Sequence, residues 1–260
     1  MKVSVITTSF NKAWCLGRAI DSVKMQQTTF PFEIIIADDG SRDNSVFVAR
    51  SHKRDVDRVI SGSHVGLMRN FARAIDCARG EYIAFCDGDD YWIDPLKLQK
   101  QVDYMDAHLE CGLCHTNVCV ILDGVYTYPE TPRELTLDMI LRGGYIFAVT
   151  VMIRASLFPQ ADFQKAIDLR IWSPDYYVWI RYLHMSKLYK LEDVTAVYIV
   201  YPNSYSHTQS RTKRLKLVII VAWFRAYFIY QYGCKLSTVL YLIYRLARDI
   251  YSVIFKRWYK

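Results

Sequence analysis

The sequence predicts an α/β fold in which helices cover both faces of a mostly parallel sheet, followed by an amphipathic helical extension. Strand-like apolar runs alternate with helical spacing along the first half of the chain, as is typical of parallel sheets. Residues 211–260 combine helical apolar spacing with a basic excess. With 260 residues, 52% of them hydrophobic, the chain can bury a substantial core, which excludes a disordered protein.

The elements of the first half follow from the spacing of their apolar residues. Asp43 or Asn44 can cap a short helix after the second strand, and Asp94 and Pro95 suit the N-cap and the first position of a later helix. In chain order, the predicted elements are a strand over 2–10, a helix over 14–25, a strand over 32–40, the short helix, a strand over 57–61, a helix over 66–79, a strand over 81–90 and a helix from 94.

The middle of the chain is less regular. Segments 111–122 and 145–154 have the composition of strands, with a weak helical pattern over 135–141 between them. Cys111 and Cys114 form a CxxC pair, but no second pair with zinc spacing follows. We therefore expect buried thiols there. The seven cysteines are scattered without a disulfide framework, which favours a reducing cytoplasm, and the strand-like start of the chain does not resemble a signal peptide.

Three of the predicted strands end in polar residues. The first strand ends in Thr8 and Ser9, the second in the DDGS of residues 38–41, and the fourth in the DGDD of residues 87–90. Ligands of open α/β sheets bind beyond the carboxyl ends of the strands, so we expect these side chains in one crevice. Taken alone, each acidic segment also fits an ordinary turn. Their joint occurrence favours a binding site.

The last of these segments places three carboxylates within four residues, Asp87, Asp89 and Asp90. Like charges so close raise one another's pKa unless a cation or hydrogen-bond donors hold them. Asp87 and Asp89 have the Asp-x-Asp spacing that can share a divalent cation, and Gly88 lets the backbone turn tightly between them. The segment therefore predicts a cation site at the end of its strand.

Four stretches in this order resemble the inverting, nucleotide-sugar-dependent glycosyltransferases of family 2, which have the GT-A fold. They are VSVITTSFNKAWCLGRAIDSV, IIIADDGSRDNS, HVGLMRNFARAIDCARGEYIAFCDGDDYW with DPLKLQKQ after it, and WSPDYYVWIRYL. The resemblance extends from Val3 to about His207. The chain has no Walker A motif and no Gly-rich dinucleotide fingerprint that would favour another nucleotide-binding family.

The resemblance implies a role for each matching residue. Asp38 and Asp39 should contact the nucleoside, Asp89 should bind Mg²⁺ or Mn²⁺, and Asp175 takes the position of the catalytic base. His207 is a candidate for a diphosphate contact or for a second metal ligand. The donor-binding residues that the resemblance implies are Thr8, Ser9, Asp38, Asp39, Gly66, Arg69, Asn70 and Asp87.

The chain departs from the family pattern in two places. A Tyr-Arg-x-His stretch is frequent late in the family's domain, whereas this chain has Ile199 and Tyr201 at the positions of its Arg and His. Two alternatives follow: the cationic contact to the diphosphate is missing, or another residue supplies it. The second departure is His64, where the family usually has Asn.

The net charge of +7 is concentrated at the C-terminus. Residues 211–260 contain eleven Lys and Arg and one acidic residue, Asp249, whereas the rest of the chain contains 22 basic and 25 acidic residues. A basic and strongly apolar tail favours an anionic membrane surface over nucleic acid. Its first part, residues 215–230, is apolar for about fourteen residues, fewer than the roughly 18 to 20 that span a bilayer.

Residues 236–259 predict an amphipathic helix, because polar side chains recur at three- and four-residue steps. Two alternatives remain open for this helix: docking on a membrane surface, or packing on the catalytic core or on a second subunit of a homodimer. The polar positions are Arg245, Arg248, Asp249, Ser252 and Lys256.

The sequence thus predicts a glycosyltransferase domain over 1–210, with a nucleotide-binding half (1–110) and an acceptor half (111–210), and a basic tail over 211–260. The expected activity is metal-dependent, inverting transfer from a nucleotide-sugar donor to a sugar or lipid-linked sugar, in bacterial cell-surface polysaccharide or glycolipid synthesis. The expected location is the cytoplasmic face of the membrane, with no nucleic-acid partner. The alternatives are a sugar nucleotidyltransferase and a catalytically silent scaffold.

Overall fold

One sheet joins the strands of the computed structural model, which describes residues 1–52, 54–143, 146–169, 171, 173–201 and 210–255. In chain order, the strands are β1 (Val3–Ser9), β2 (Phe32–Asp38), β3 (Arg58–Ile60), β4 (Tyr82–Phe85), β5 (Tyr91–Trp92), β6 (Cys111–Leu122), β7 (Val125–Thr127), β8 (Met152–Arg154) and β9 (Lys187–Val200). The helices are α1 (Ala13–Lys24), α2 (Ser45–Ser51), α3 (Leu67–Cys77), α4 (Lys97–Ala107), α5 (Leu137–Arg142), α6 (Gln160–Asp168), α7 (Pro174–Met185), α8 (Arg211–Tyr232) and α9 (Leu236–Phe255).

The order of strands across the sheet is β3-β2-β1-β4-β8-β6-β9-β5, with β7 paired to β6. Strands β1 to β4 are parallel to one another, and β6 and β9 run in the same direction as these four. Strand β8 lies between β4 and β6 and is antiparallel to both. The sheet is therefore mostly parallel, as predicted. β1 and β2 are buried along nearly their whole length, which explains why their sequences are continuous apolar runs rather than alternating ones.

Two hydrophobic clusters lie on opposite faces of the sheet, because successive strand side chains point to opposite sides. Val3 and Val5 pack with residues of α1, α2 and α4, whereas Ile6, Ile83 and Phe85 pack with α3, α6 and α7. Helices thus cover both faces. This confirms the predicted α/β class.

Most elements of the first half lie within a few residues of their predicted bounds, but two predicted elements of the chain need correction. Helix α4 begins at Lys97 rather than at Asp94, because Asp94 and Pro95 form a turn in which the Leu96 N–H donates to Asp94 Oδ1 at 2.8 Å. The predicted strand over 145–154 is reduced to β8, preceded by a short 3₁₀ turn at Ala148–Thr150.

The two C-terminal helices form a hairpin against the second cluster. Phe224 and Phe228 of α8 and Leu242 of α9 are buried there, and the Arg142 guanidinium donates to Thr238 Oγ1 at 3.0 Å. Part of the tail thus packs on the core.

The expectation that the apolar run of the tail is too short for a bilayer is wrong. By length and composition, Thr212–Tyr232 of α8 could cross a membrane, and only 11% of that window is buried. It is the one helix of this kind among the described residues.

Candidate active site

The carboxyl ends of the first strands bring the predicted polar residues together. In the parallel register Ser9 of β1 lies beside Asp38 of β2, and the Asp39 N–H donates to Ser9 O at 2.8 Å. On the other side of β1, the Gly88 N–H donates to Thr8 O at 3.0 Å. The structure therefore places the three polar strand ends side by side at one edge of the sheet.

The Asp38-Asp39 segment is held by short-range hydrogen bonds. Asp38 accepts the Ser41 N–H at 2.8 Å and the Ser41 hydroxyl at 2.5 Å. Asp39 accepts the backbone N–H groups of Val65 and Gly66 at 2.8 and 3.0 Å, and His64 Nδ1 lies 2.9 Å from its Oδ2. Asp39 thus fixes the segment that leads into α3. His64, which departs from the family pattern, contributes to this contact.

Gly66, Arg69 and Asn70 lie at the start of α3, but they face different surroundings. Gly66 has φ +88°, a left-handed conformation that glycine tolerates best. Asn70 is buried and its side-chain amide donates to Ala37 O at 2.8 Å, while Arg69 is exposed. Arg73, which the sequence reasoning missed, lies 3.8 Å from Asp39 Oδ1.

The DGDD turn is held by β1 and by β9. The Thr8 hydroxyl donates to Asp87 Oδ1 at 2.5 Å, and the Ile199 N–H donates to Asp90 Oδ1 at 3.1 Å. A Cβ atom at Gly88 would lie 3.0 Å from Thr8 O, so glycine lets the turn approach β1 closely. Ile199 takes the position of the family's Arg, and its backbone N–H contacts the turn.

Burial and mutual repulsion raise the pKa values of two carboxylates in this turn. Burial, reinforced by the charges of Asp89 and Asp175, raises the pKa of Asp87 to about 6, although the Thr8 hydroxyl opposes the shift. Burial and the charges of Asp89 and Asp87 hold the pKa of Asp90 well above its ordinary value. A raised carboxyl pKa means that the ionised form is disfavoured in the folded state.

Next to Asp89 lie two cations that the sequence analysis did not identify, together with Tyr201, to which it gave no role. Lys12 Nζ forms an ion pair with Asp89 Oδ2, and Arg18 donates to Asp89 O at 3.2 Å and to the Tyr201 hydroxyl at 3.1 Å. Tyr201 is the second departure from the family stretch, and its ring also packs edge-on against Trp14 at 4.7 Å. These contacts bring positive charge to the place where the family's Arg and His are missing.

Asp175 lies in the first turn of α7, whose N-cap is Ser173 and whose first residue is Pro174. The Ser173 hydroxyl donates to Asp175 Oδ1. Burial raises the pKa of Asp175, while this bond and backbone N–H groups of the first turn oppose the shift. The carboxylate is therefore held in place and is more basic than an exposed one.

Asp175, Asp87 and Asp90 line the same cavity, whose volume is about 1110 Å³. We call it the apolar cleft, because it extends from these carboxylates between helices α8 and α9, where its walls include Val221, Leu242 and Leu246. The structure thus brings the predicted base to the predicted cation turn.

The carboxylate oxygens of Asp87 and Asp89 are the kind of ligand that Mg²⁺ and Mn²⁺ prefer. Among the residues whose placement is described, no group of three His, Cys, Asp or Glu could hold a metal ion alone. Mg²⁺ is commonly bound through one or two carboxylates together with substrate phosphates. The side chains at this turn fit a cation shared with a diphosphate. His207, the other candidate ligand, lies outside the described residues.

The CxxC pair has no role in this site. Cys111 and Cys114 are buried and free, and burial raises their pKa values to about 11 and about 12. Such thiols are protonated at neutral pH and are poor nucleophiles and metal ligands. The expectation of buried thiols is confirmed.

Comparison with known proteins identifies several relatives. The model of the family Glycosyl transferase family 2 matches residues 4–150. The uncharacterized protein Rv1520 of Mycobacterium tuberculosis is 32% identical over 82% of this chain, which spans 62% of that relative's length. The putative teichuronic acid biosynthesis glycosyltransferase TuaG of Bacillus subtilis is 31% identical over 65% of this chain and 70% of its own. The Escherichia coli UDP-Glc:alpha-D-GlcNAc-diphosphoundecaprenol beta-1,3-glucosyltransferase WfgD is 25% identical over 70% of this chain and 69% of its own.

Solved structures show the same fold. TarS of S. aureus (residues 1–349) in complex with UDP-GlcNAc superposes with a TM-score of 0.64 at 19% identity, over 97% of this chain and 82% of its own. The mannosyltransferase PcManGT of Pyrobaculum calidifontis, with GDP-Man and Mn²⁺, has a TM-score of 0.61 at 16% identity, over 96% of this chain and 69% of its own. These likenesses establish the GT-A fold. Because the family model also matches more than half of its residues, the chain belongs to glycosyltransferase family 2.

Proposed function

We propose that this glycosyltransferase is metal-dependent and inverting, and that it transfers a sugar from a nucleotide-sugar donor to an acceptor hydroxyl. The observation that carries the proposal is that Asp175 shares one cavity with Asp87 and Asp90, directly beside the Asp89 turn. A base and a place for a leaving group therefore face the same space. Inverting transfer needs these two groups on opposite sides of the anomeric carbon.

The donor is assigned to the crevice at the strand ends. Asp38 and Asp39 accept hydrogen bonds from the nucleoside, with Thr8 and Ser9 beside them, and Ser9 Oγ is buried without a protein partner in the described structure. Gly66, Arg69 and Asn70 lie at the start of α3 on the far side of Asp39. We assign them to the donor sugar and phosphates, with exposed Arg69 as the contact and buried Asn70 holding α3 to the backbone of Ala37.

Asp89, with Asp87 behind it, would hold Mg²⁺ or Mn²⁺ together with the donor diphosphate. A divalent cation bound there supplies positive charge that stabilises the departing nucleoside diphosphate. Lys12 and Arg18 already contact Asp89 and add to that positive charge. The Mn²⁺ complex of the mannosyltransferase PcManGT, which has the same fold, supports the use of a divalent cation.

Asp175 is assigned as the general base. It accepts the proton of the acceptor hydroxyl while that oxygen attacks the anomeric carbon from the face opposite the diphosphate. Burial raises the pKa of Asp175, which strengthens its carboxylate as a base. A single displacement inverts the configuration, and no covalent intermediate on the enzyme is needed.

The likeness to TuaG and WfgD supports a role in bacterial cell-surface polysaccharide or glycolipid synthesis, with a sugar or lipid-linked sugar as the acceptor. We assign catalysis to residues 1–210, with donor binding in 1–110 and acceptor binding in 111–210. Residues 211–260 are assigned to peripheral contact with the cytoplasmic face of the membrane. A homodimer is a further arrangement that the exposed apolar face of α9 would allow.

The proposal is tested by thermal unfolding with a panel of nucleotide sugars, with Mn²⁺ or with EDTA. A ligand that binds only the folded state raises the melting temperature, so we expect one donor to stabilise the protein in the presence of Mn²⁺. Asp89→Ala should abolish the Mn²⁺-dependent part of the rise in melting temperature, whereas the exposed control Asp103→Ala should keep it. A metal-independent shift that survives Asp89→Ala would contradict the metal assignment. Absence of any shift would favour a silent scaffold.

A further inference from the structure

The apolar cleft is much longer than the transfer reaction itself requires. It begins at Asp87 and Asp175, and it continues between α8 and α9, well beyond the carboxylates. Its volume of about 1110 Å³ exceeds the roughly 300–1,000 Å³ of pockets that enclose a drug-sized ligand. One acceptor sugar beside Asp175 would leave most of this space unused.

The walls of the distal part are aliphatic. Side chains of the two C-terminal helices supply them, namely Leu217, Val218, Val221, Ala222, Leu242 and Leu246. A sugar would lose hydrogen bonds to water in such surroundings without regaining them from the protein. The distal part therefore suits an apolar chain rather than a second sugar.

Charged groups interrupt this apolar lining in a specific place. Arg225 of α8 and Arg245 of α9 both line the cleft, and Asp249 lies 3.7 Å from Arg245 Nε. Guanidinium groups bind phosphate and diphosphate in a bidentate geometry, so this lining contains donors of the kind that a phosphate uses. A cleft that combines carboxylates, aliphatic walls and guanidinium groups matches an amphiphile with a sugar, a phosphate and a chain.

We propose that the apolar cleft binds the hydrocarbon chain of a phosphate-linked lipid acceptor and so presents the acceptor sugar to Asp175. This inference rests on the proposed function, and it names α8 and α9 as the elements that select the acceptor. The chain would reach the cleft from the surface of the hairpin, where α8 is mostly unburied and long enough to contact the interior of a bilayer.

The test uses the full-length protein and measures the binding of three probes: farnesyl diphosphate, oleoyl lysophosphatidic acid and inorganic diphosphate. Ala222→Trp fills the cleft with a bulky ring, and Ala247→Trp places the same ring on the exposed side of α9, outside the cleft. We expect the wild type and Ala247→Trp to bind one or both lipids, and Ala222→Trp to bind about tenfold more weakly or worse. Inorganic diphosphate should bind far more weakly than either lipid.

A second variant guards against misfolding. Val221→Asn puts an amide into the same wall without adding bulk, and it should also weaken lipid binding. Both cleft variants should keep the melting temperature and the donor-induced shift of the wild type. If the donor shifts the melting temperature of none of the proteins, the proposed function is wrong. If the cleft variants keep the shift and lose lipid binding, the loss is caused by the change in the cleft.

Several results would overturn the inference itself. The first is wild-type protein that binds neither lipid. The second is equal lipid binding by Ala222→Trp and Ala247→Trp, which would place the chain outside the cleft. The third is inorganic diphosphate binding as tightly as the lipids. A dimer in solution that Ala222→Trp dissociates would assign the cleft to a second copy of the chain.

Discussion

At the scale of single residues, the site contains carboxylates whose charge opposes folding. The pKa values of Asp87, Asp90 and Asp175 are all raised, with burial as the largest cause in each case. An ionised carboxylate with a raised pKa makes the folded state less stable than a neutral side chain of the same shape would. Binding sites are common places for such unfavourable charges, because the ligand compensates them.

Asp87→Asn should therefore stabilise the protein while impairing transfer. The amide keeps an oxygen for the Thr8 hydroxyl but removes the charge, so we expect the free energy of unfolding to rise by about 1–3 kcal/mol at pH 8. The folded-state pKa of about 6 lies above the ordinary value of 3.8, so the wild type loses stability as pH rises through this interval. The gain should consequently vanish below about pH 4.

Urea unfolding of both proteins at several pH values measures this gain, with exposed Asp103→Asn as the control. A destabilised Asp87→Asn at pH 8 would show that the Asp87 charge supports the fold instead.

Asp175→Asn separates chemistry from binding. The substitution keeps the shape but cannot accept a proton, so we expect turnover to fall by about 10² or more with donor affinity nearly unchanged. Transfer assays and donor-induced thermal shifts on the same preparation measure the two effects. Turnover within a few-fold of the wild type would remove Asp175 from the role of base.

At the scale of elements, the loop between β2 and α2 depends on one glycine. Gly40 has φ +76°, and a Cβ atom there would lie 2.6 Å from the backbone nitrogen of His64. No side chain can occupy that space unless the segment anchored by Asp39 moves. The loop therefore couples the position of Asp38 to that of α3.

Gly40→Ala should lower both the melting temperature and the donor affinity. Gly124 is the matched control, because it has a similar φ of +79° but nothing within 4 Å of a Cβ atom. Gly124→Ala should show only the backbone penalty, about 1 kcal/mol, with normal donor affinity. Similar losses in both variants would mean that the close approach to His64 has no importance.

Some strands of the sheet could be predicted from the sequence and others could not. The first βα units could be predicted, because β1 and β2 are buried and their sequences are apolar without interruption. Strand β9 was missed, although its second half, VTAVYIV, has the composition of a strand; only its first half is rich in charged residues, and its pairing partner β6 begins 76 residues earlier in the chain. The two-residue strand β5 exists only through its pairing with β9.

The residues of the candidate site could likewise be predicted only in part. Asp38, Asp87 and Asp89 could be predicted, because Asp38 ends β2 and the other two follow within four residues of the end of β4. Lys12 and Tyr201 could not, since their contacts at the site join residues 77 and 183 positions apart. The carboxylates of the site are visible in short segments of sequence, but its countercharges come from the tertiary fold.

At the scale of the whole molecule, α9 presents an apolar face to solvent while its other face packs on the hairpin and the core. The exposed side chains recur at helical spacing and so share one side of the helix. They are Leu236, Leu240, Ile243, Tyr244, Tyr251 and Ile254. With the basic charge of residues 211–260, this face has the composition of a membrane-surface helix.

We expect the intact protein to bind anionic vesicles, and removal of residues 235–260 to release it. Each basic residue near an anionic surface contributes about 1 kcal/mol to the free energy of membrane binding, and salt screens this attraction. Salt does not screen the insertion of the apolar face. High salt should therefore release only part of the protein. Co-sedimentation at low and high salt measures both contributions.

Truncation also removes contacts with the core, so a gentler variant is needed. Leu240→Glu with Ile254→Glu changes only the exposed face, since neither residue lines the apolar cleft. This double variant should remain folded and lose the salt-resistant binding. If the intact protein does not bind vesicles, the membrane assignment is wrong. If only the truncated chain aggregates, the result favours a packing role for α9.

The contact between Asp90 and Ile199 has a consequence for the order in which the molecule acquires its parts. The two residues are 109 positions apart, and the neighbouring pairing of β5 with β9 spans a similar distance. Closing so long a loop lowers the chain entropy before any interaction compensates it, so contacts of this kind form late. In refolding from urea, helical signal should therefore recover before donor binding does. Newly made chains would pass through an interval in which the sheet is largely present and the enzyme is still inactive.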